Sequence, residues 1–323
     1  MTYYYKNVYI NDKYSLLASN EKEPIVKDYT DKFVDSYYLE EKSVEIAEGE
    51  YQKITISGIM AKNKFTQSNV SLLINSDLQN QILASSISGS NYNIPMLGIY
   101  SACASFVEGL IIASSFIQNK AQNIIVTTSS HNLVSEKQFR FPIEYGAIRK
   151  MVNSFTATGS VSTLVSNKKS KVKIESSTIG NVIQTNHKDA NDMGSAMAPA
   201  AALVIDRHLR ETGRDSNYYD VILTGDLGEY GTKIMKEYYK KISGKKLNNV
   251  IDAGSIFYKE ENIYAGASGP VCIPLVLFDY ILRQKKYKKI LVCATGALHS
   301  CVSTNLSLPM PGIAHVISLE VLV

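Results

Sequence analysis

Two apolar stretches of the chain follow one pattern. SFVEGLIIASSFIQNKAQNIIVTTSS, from Ser105, and PVCIPLVLFDYILRQKKYKKILVCATG, from Pro270, superpose without a gap when shifted by 166 residues. Val107 then falls on Ile273, Leu110 on Val276, Phe116 on Leu282, and Ile124–Val126 on Ile290–Val292. In each, a tight Gly/Ala/Ser stretch opens a helix of about four turns. A polar loop follows, and a short strand of branched residues closes the unit. The helices are apolar on nearly every face, which predicts burial between layers.

The repeat extends outward from these units. Ile54–Gly58 (ITISG) and Val221–Gly225 (VILTG) both read as strands ending in glycine, and Gly159–Ser166 resembles Gly312–Leu319 in its alternation. Two halves result, residues 1–167 and 174–323, joined by a lysine-rich turn at Asn167–Lys171. Two βαβ-rich halves with central buried helices predict a layered α/β/α/β/α architecture. A surface helix is expected over Ala198–Arg210, with Pro199 in its first turn, where a missing N–H is tolerated. Two long loops, Ser135–Met151 and Thr185–Pro199, are expected to serve as lids or contacts.

Composition changes this picture little. Apolar residues make up 45% of 323, enough for a substantial core. A balance of 34 Lys and Arg against 30 Asp and Glu is too mild to point to nucleic acid. Lysines cluster at Arg283–Lys289 and Lys245–Lys246, which suits solvated helix ends or contact with an anionic surface. Four scattered cysteines without a CxxC suggest neither a zinc site nor a disulfide framework, and fit a reducing, cytoplasmic compartment. The opening MTYYYKNVYI is too polar for a signal peptide, and the apolar runs Gly109–Ile117 and Pro274–Leu282 are too short for a membrane span. Peripheral attachment stays open.

In α/β folds, ligands gather at the carboxyl ends of strands. Cys103 follows a strand expected over Met96–Ser101 and heads a buried helix. The positive end of the helix dipole there favours a thiolate; the alternative is a small buried hydrophobe. His131 follows the strand Ile124–Ser129 and suits an anion contact, a base or a structural role. Asp226 follows Val221–Leu223 and suits ligand orientation or a cap. His299 lies just beyond the strand Ile290–Ala294, and His315 lies within a strand. Arg140, in the first long loop, suits a bidentate carboxylate clamp. Cys272, Cys293 and Cys301 read as core or wall residues, and His187 and His208 as polar or helix-surface positions.

The strand–Ala–Cys–helix arrangement around Cys103, with the duplication, resembles the thiolase and β-ketoacyl synthase superfamily. More closely, Thr128–Gly146 (TSSHNLVSEKQFRFPIEYG), Asp192–Ala202 (DMGSAMAPAAA), Val221–Leu227 (VILTGDL), Ala294–Leu298 (ATGAL) and Gly312–His315 (GIAH) resemble the stage V sporulation protein AD family. The resemblance covers roughly residues 95–323; where a GDL-like turn is expected in the first half, the chain has Gly58–Ile59–Met60. It implies a thiolase-like fold and a role in spore formation. The family's members are expected to bind dipicolinic acid and to support uptake of its calcium complex into the developing spore. They are expected to do so beside the other SpoVA membrane proteins of the same operon, peripherally at the inner spore membrane, and as homodimers. The resemblance implies no cofactor.

Condensing enzymes of the superfamily pair the cysteine with a histidine after a second-half strand and with a His or Asn in a later loop. The matching positions here, near Gly225–Asp226 and near Ala267–Ser268, hold neither. That favours a degenerate site reused for binding over an acyltransferase using Cys103. Dipicolinate, a flat ring with two carboxylates, suits a helix N-terminus, an Arg or His donor and an apolar wall. The implied ligand-binding set is Cys103, His131, Arg140, Asp226, His299 and His315. His131 and Arg140 would meet the carboxylates, and Asp226 would orient donors or meet Ca²⁺.

Overall fold

The computed structural model describes residues 1–18, 23–139, 150–259 and 264–322. Its strands are β1 (Thr2–Tyr4), β2 (Tyr9–Ala18), β3 (Lys32–Val34), β4 (Leu72–Ser76), β5 (Met96–Gly98), β6 (Asn123–Ser130), β7 (Phe155–Thr156), β8 (Thr158–Ser166), β9 (Val172–Ile179), β10 (Val221–Thr224), β11 (Val250–Asp252), β12 (Ala267–Ser268), β13 (Lys289–Ala297) and β14 (Gly312–Val321). Its helices are α1 (Val44–Lys62), α2 (Leu83–Gly89), α3 (Ser105–Gln118), α4 (Asn132–Phe139), α5 (Met193–Thr212), α6 (Gly228–Ser243), α7 (Ala253–Ile256), α8 (Cys272–Val276) and α9 (Cys301–Asn305).

One sheet runs in the order β11-β10-β13-β14-β9-β2-β8-β6-β4-β5, with β1 on β9 and β3 on β2. It has two arms of the same design. In one, β4 lies parallel to β5 and β6, and β8 runs antiparallel to β6 and β2. In the other, β10 lies parallel to β11 and β13, and β14 runs antiparallel to β13 and β9. The arms join where Tyr9 faces Lys173 and Ile10 faces Val172.

Strand register corrects the outer part of the repeat. Ile124 faces Leu72 in one arm and Ile290 faces Val221 in the other, so Leu72–Leu78 (LLINSDL) corresponds to Val221–Leu227 (VILTGDL). The same spacing carries back to the helix caps. Ser43 caps α1 and Asp192 caps α5, and left-handed residues follow both helices, Lys64 at φ 56° and Gly213 at φ 65°. The acidic turn of the first half is therefore Ser76–Asp77–Leu78, not Gly58–Ile59–Met60. ITISG lies inside α1, not in a strand. Its buried stripe includes Glu48, Gln52 and Thr55, and these polar residues mask the helical period that Ala47, Tyr51, Ile56 and Ile59 complete. Ile124 faces Val165 and Ile290 faces Leu319, so Gly159 corresponds to Ile313, one residue from the alignment with Gly312. Alternation alone cannot fix such a register.

The central layer lies between the arms. Phe106 of α3 meets Phe278 edge-on, with ring centroids 6.0 Å apart. The second central helix is irregular: α8 passes into a π-helical turn at Leu277–Ile281 and a 3₁₀ turn at Leu282–Gln284. Buried Asp279 in the π turn pairs with Lys13 of β2, which tethers this segment to the first arm. α1 covers the outer face of the first arm, and α5 and α6 cover the second. The layers thus alternate helix, sheet, helix, sheet, helix.

α5 is longer than expected and lies in the outer layer, with one broad face buried and Arg210 exposed on the other. Ala196–Ala202 are buried, and Pro199 lies within the helix rather than in its first turn. His208 shares the buried face, held between Thr178 Oγ1 at 2.8 Å and Tyr219 Oη at 2.7 Å. Burial lowers its pKa to about 4, so it is neutral.

Candidate functional site

The chain makes an elbow between β5 and α3. β5 stops at Gly98, short of the expected Ser101, and Ala102 adopts φ 48°, a strained left-handed conformation for a residue with a side chain. Ser105 clasps the elbow: its Oγ donates to the Ala102 carbonyl at 2.8 Å and accepts from the Ser101 N–H at 2.9 Å. The elbow also leans on β13. A Cβ at Gly296 would lie 2.5 Å from the Ser101 carbonyl oxygen, so glycine is required there. The product of this geometry is Cys103, presented at the start of the buried helix.

The thiol's electrostatics run opposite to the helix-dipole expectation. Burial, then the charge of Asp226 and a hydrogen bond with it, raise the Cys103 pKa well above that of a free thiol. The N–H of Gly269 favours the thiolate, but burial and Asp226 outweigh it. Burial and the neighbouring Asp226 carboxylate thus favour the neutral thiol at Cys103. Asp226 also accepts from Thr295 Oγ1 at 2.9 Å and from the Gly269 N–H at 3.2 Å. Gly269 reaches it at φ 99°, where a side chain would strike Ser130. Burial nonetheless pushes the Asp226 pKa up to about 6. The two segments matched in sequence to the condensing enzymes' base and amide, Gly225–Asp226 and Ala267–Ser268, therefore do converge near Cys103, but they bring a carboxylate and small residues.

Above the thiol lies a narrow cleft, with about 50 Å³ of room for the centres of water-sized molecules. Tyr100 and Ala102 line it from the elbow, Ser135 and Phe139 from α4, Thr156 from β7, and Ala297 and His299 from the end of β13 and beyond. Phe139 and His299 lie ring to ring at 5.0 Å. Ser135 Oγ and His299 Nδ1 are buried and have no hydrogen-bond partner. Burial lowers the His299 pKa, so the ring favours its neutral form. Ser135, Phe139 and Tyr100 were not singled out from the sequence. α4 from Ser135 onward falls in the segment read as the loop Ser135–Met151, and its mixed polar composition gives little periodicity.

The other expected site residues do not gather at this cleft. His131 is buried beneath Tyr51, with near-parallel rings 5.8 Å apart. Its Nε2 donates to the Tyr37 carbonyl at 2.9 Å and its Nδ1 accepts from the Leu133 N–H at 3.2 Å. Both nitrogens are used, and burial lowers its pKa to about 4. His315 sits within β14, where its Nδ1 accepts from the Gly180 N–H at 3.1 Å; its pKa is also lowered to about 4 by burial. Asp226 stands behind Cys103 rather than on the cleft wall. Arg140 lies outside the described residues. Among the described residues, no group of three or more His, Cys, Asp and Glu side chains could hold a metal ion.

The sequence profile of stage V sporulation protein AD matches residues 2–320. The chain belongs to the stage V sporulation protein AD family. The match takes in the first ninety residues, which carry few of the motifs. Stage V sporulation protein AD of Bacillus subtilis (strain 168) is 33% identical over 318 residues, covering 97% of this chain and 94% of that protein. Solved structures place this family member among thiolase-like folds. 3-Oxoacyl-[acyl-carrier-protein] synthase III from Aquifex aeolicus VF5 superposes with a TM-score of 0.58 at 12% identity, over 97% of this chain and 99% of the other. A variant of OleA from Xanthomonas campestris gives 0.64 at 12% identity, over 98% and 97%. At such identity the likeness concerns the fold alone. Among the described residues, no helix is long and apolar enough to cross a membrane.

Proposed function

We propose that this sporulation protein binds dipicolinic acid without catalysis and supports its uptake, with Ca²⁺, into the developing spore. The pairing of Cys103 with Asp226 carries the reading. A nucleophilic cysteine needs a base or cation that favours the thiolate. Here burial first, and then a carboxylate in that place, disfavour the thiolate. What remains is a cleft with a neutral thiol on its floor, aromatic walls from Phe139 and Tyr100, and unpartnered polar atoms on Ser135 and His299. That inventory suits a flat aromatic ligand whose polar groups find partners at the wall.

The exposed edge of the first arm supports a homodimer. β5 ends the sheet there, and Met96 and Leu97 are 36% and 39% exposed, with Tyr100 at 44% close by. An uncovered apolar edge strand invites a further strand, and a second copy supplies one. The SpoVA membrane proteins of the same operon complete the assembly, with this chain peripheral to the inner membrane of the spore.

Calorimetric titration with dipicolinate, with and without Ca²⁺, tests the binding reading. Absence of heat and of saturation at millimolar ligand overturns it. Mass spectrometry after incubation with acyl-CoA tests the catalytic alternative: a stable acyl adduct on Cys103 restores an acyltransferase.

A further inference from the structure

β10, β11 and β13 run parallel toward the cleft, so the loops that feed them lie at the far end of the second arm. These loops are residues 213–220, 244–249 and 283–288, and the linker 167–171 joins them. Hydrogen bonds stitch the four together. The Leu322 N–H donates to the Lys171 carbonyl at 2.7 Å, and the Val321 N–H to the Lys288 carbonyl at 2.8 Å. The Lys288 N–H reaches Asp220 at 2.6 Å, and Asn249 Nδ2 reaches the Tyr219 carbonyl at 2.6 Å. They form one continuous face.

That face is strongly basic. The linker exposes Lys168, Lys169 and Lys171, and the 244–249 loop exposes Lys245 and Lys246. The 283–288 loop adds Arg283, Lys285, Lys286 and Lys288, all exposed. The four loops contain two acids, and both are engaged. Asp215 pairs with Lys245 at 3.5 Å, and Asp220 accepts the backbone N–H groups of Lys288 and Lys289. A chain with a net charge of only +4 concentrates its positive charge here.

We propose that this face docks on an anionic lipid bilayer. All but one of these exposed bases are lysines, compact hydrated charges suited to a diffuse field of headgroups rather than to the bidentate reading of single phosphates. They are spread over loop tips. Tyr218 and Ile242, 37% and 39% exposed, belong to this end and supply apolar contacts at headgroup depth. Docked in this way, the molecule turns its cleft away from the lipid. The inference does not depend on which ligand fills the cleft.

The test is flotation of the full chain with vesicles of phosphatidylglycerol mixed with phosphatidylcholine, against vesicles of phosphatidylcholine alone, at physiological salt. Binding to the first and not the second is expected. The triple variant Lys169→Glu, Lys286→Glu, Lys288→Glu weakens it by at least roughly a hundredfold, from about fivefold per lysine charge removed near an anionic surface before the added repulsion of the glutamates. A control, Lys32→Glu, Lys42→Glu, Lys188→Glu, makes the same change in net charge on exposed residues elsewhere and leaves binding within about twofold. Circular dichroism establishes that both variants are folded. Equal binding to both vesicles, no binding to the anionic ones, equal loss in both variants, or displacement from vesicles by duplex DNA overturns the proposal.

Discussion

Replacing Asp226 by asparagine isolates the buried charge at the centre of the site. Burial raises the Asp226 pKa from 3.8 to about 6, so the folded protein holds this proton more tightly than the unfolded chain does. The stability this group contributes is full below about pH 4 and is lost as the pH rises through about 6. The difference corresponds to about 3 kcal/mol by neutral pH. Asp226→Asn removes the titration. Thr295 and Gly269 bond different oxygens of Asp226, so the asparagine can keep its Oδ1 on the Gly269 N–H only if its NH₂ group takes the other oxygen's place and donates to Thr295 Oγ1, and part of the gain is lost in that exchange. A net stabilisation of about 1–2 kcal/mol is expected at about pH 7.5, and none at about pH 4. Urea denaturation of both proteins across this pH range reads it directly. The reasoning fails if the variant is less stable at the higher pH, or if the difference between the two proteins does not change with pH.

Iodoacetamide at about pH 8 should alkylate exposed Cys301 well before the buried Cys103, whose thiol is held protonated; comparable rates by peptide mass spectrometry would contradict the neutral-thiol assignment. Burial and the nearby Asp77 push Glu48 up to about 8, so its contribution to stability is lost as the pH rises from about 4.5 through about 8. Glu48→Gln should therefore raise the melting temperature at about pH 8.5 and leave it nearly unchanged at about pH 4.5, as calorimetry can check. Gly296→Ala drives a methyl group into the Ser101 carbonyl and should cost about 1–3 kcal/mol in urea unfolding; a neutral effect would mean that the elbow yields easily.

The sequence spoke most clearly where hydrophobic period and burial agree. The central helices and the strands after them were legible because Val107, Leu110, Ile273 and Val276 face apolar neighbours on all sides. Legibility failed where polar or small residues are buried. α1 hides its amphipathic stripe behind Glu48, Gln52 and Thr55, and α5 packs through alanines that look indifferent to side. At the site, the position of Cys103 was readable, but the state of its thiol was not. The dipole argument holds for a helix start open to water, and here burial and a carboxylate 123 residues away decide the outcome. The histidines failed for a related reason. His131 and His315 follow or occupy strands as site residues do, but backbone groups of Tyr37 and Leu133 take both nitrogens of His131 and the Gly180 N–H takes Nδ1 of His315. No spacing rule shows that.

Duplication raises the question of why the two halves yield one cleft. Asp77 and Asp226 end equivalent strands, and Ser129 and Thr295 end the neighbouring pair. In the second half, Thr295 donates to Asp226. In the first, Ser129 donates instead to Glu48 of α1 at 2.8 Å, a position that the register matches to Met197 in α5. Asp77 then turns to Ser85, whose N–H and Oγ both bond it, and to the Gln79 N–H. Its carboxylate is saturated by its own loop and faces no thiol. With apolar Met197 in place of an acid, Asp226 keeps the strand-end hydroxyl and remains within reach of the other half. The contact then forms because Gly269, the counterpart of Cys103, has no side chain and lets its N–H approach Asp226. Two substitutions of the shared plan, glutamate for an apolar residue in one outer helix and glycine for cysteine at one helix start, are enough to seal one strand end and open the other.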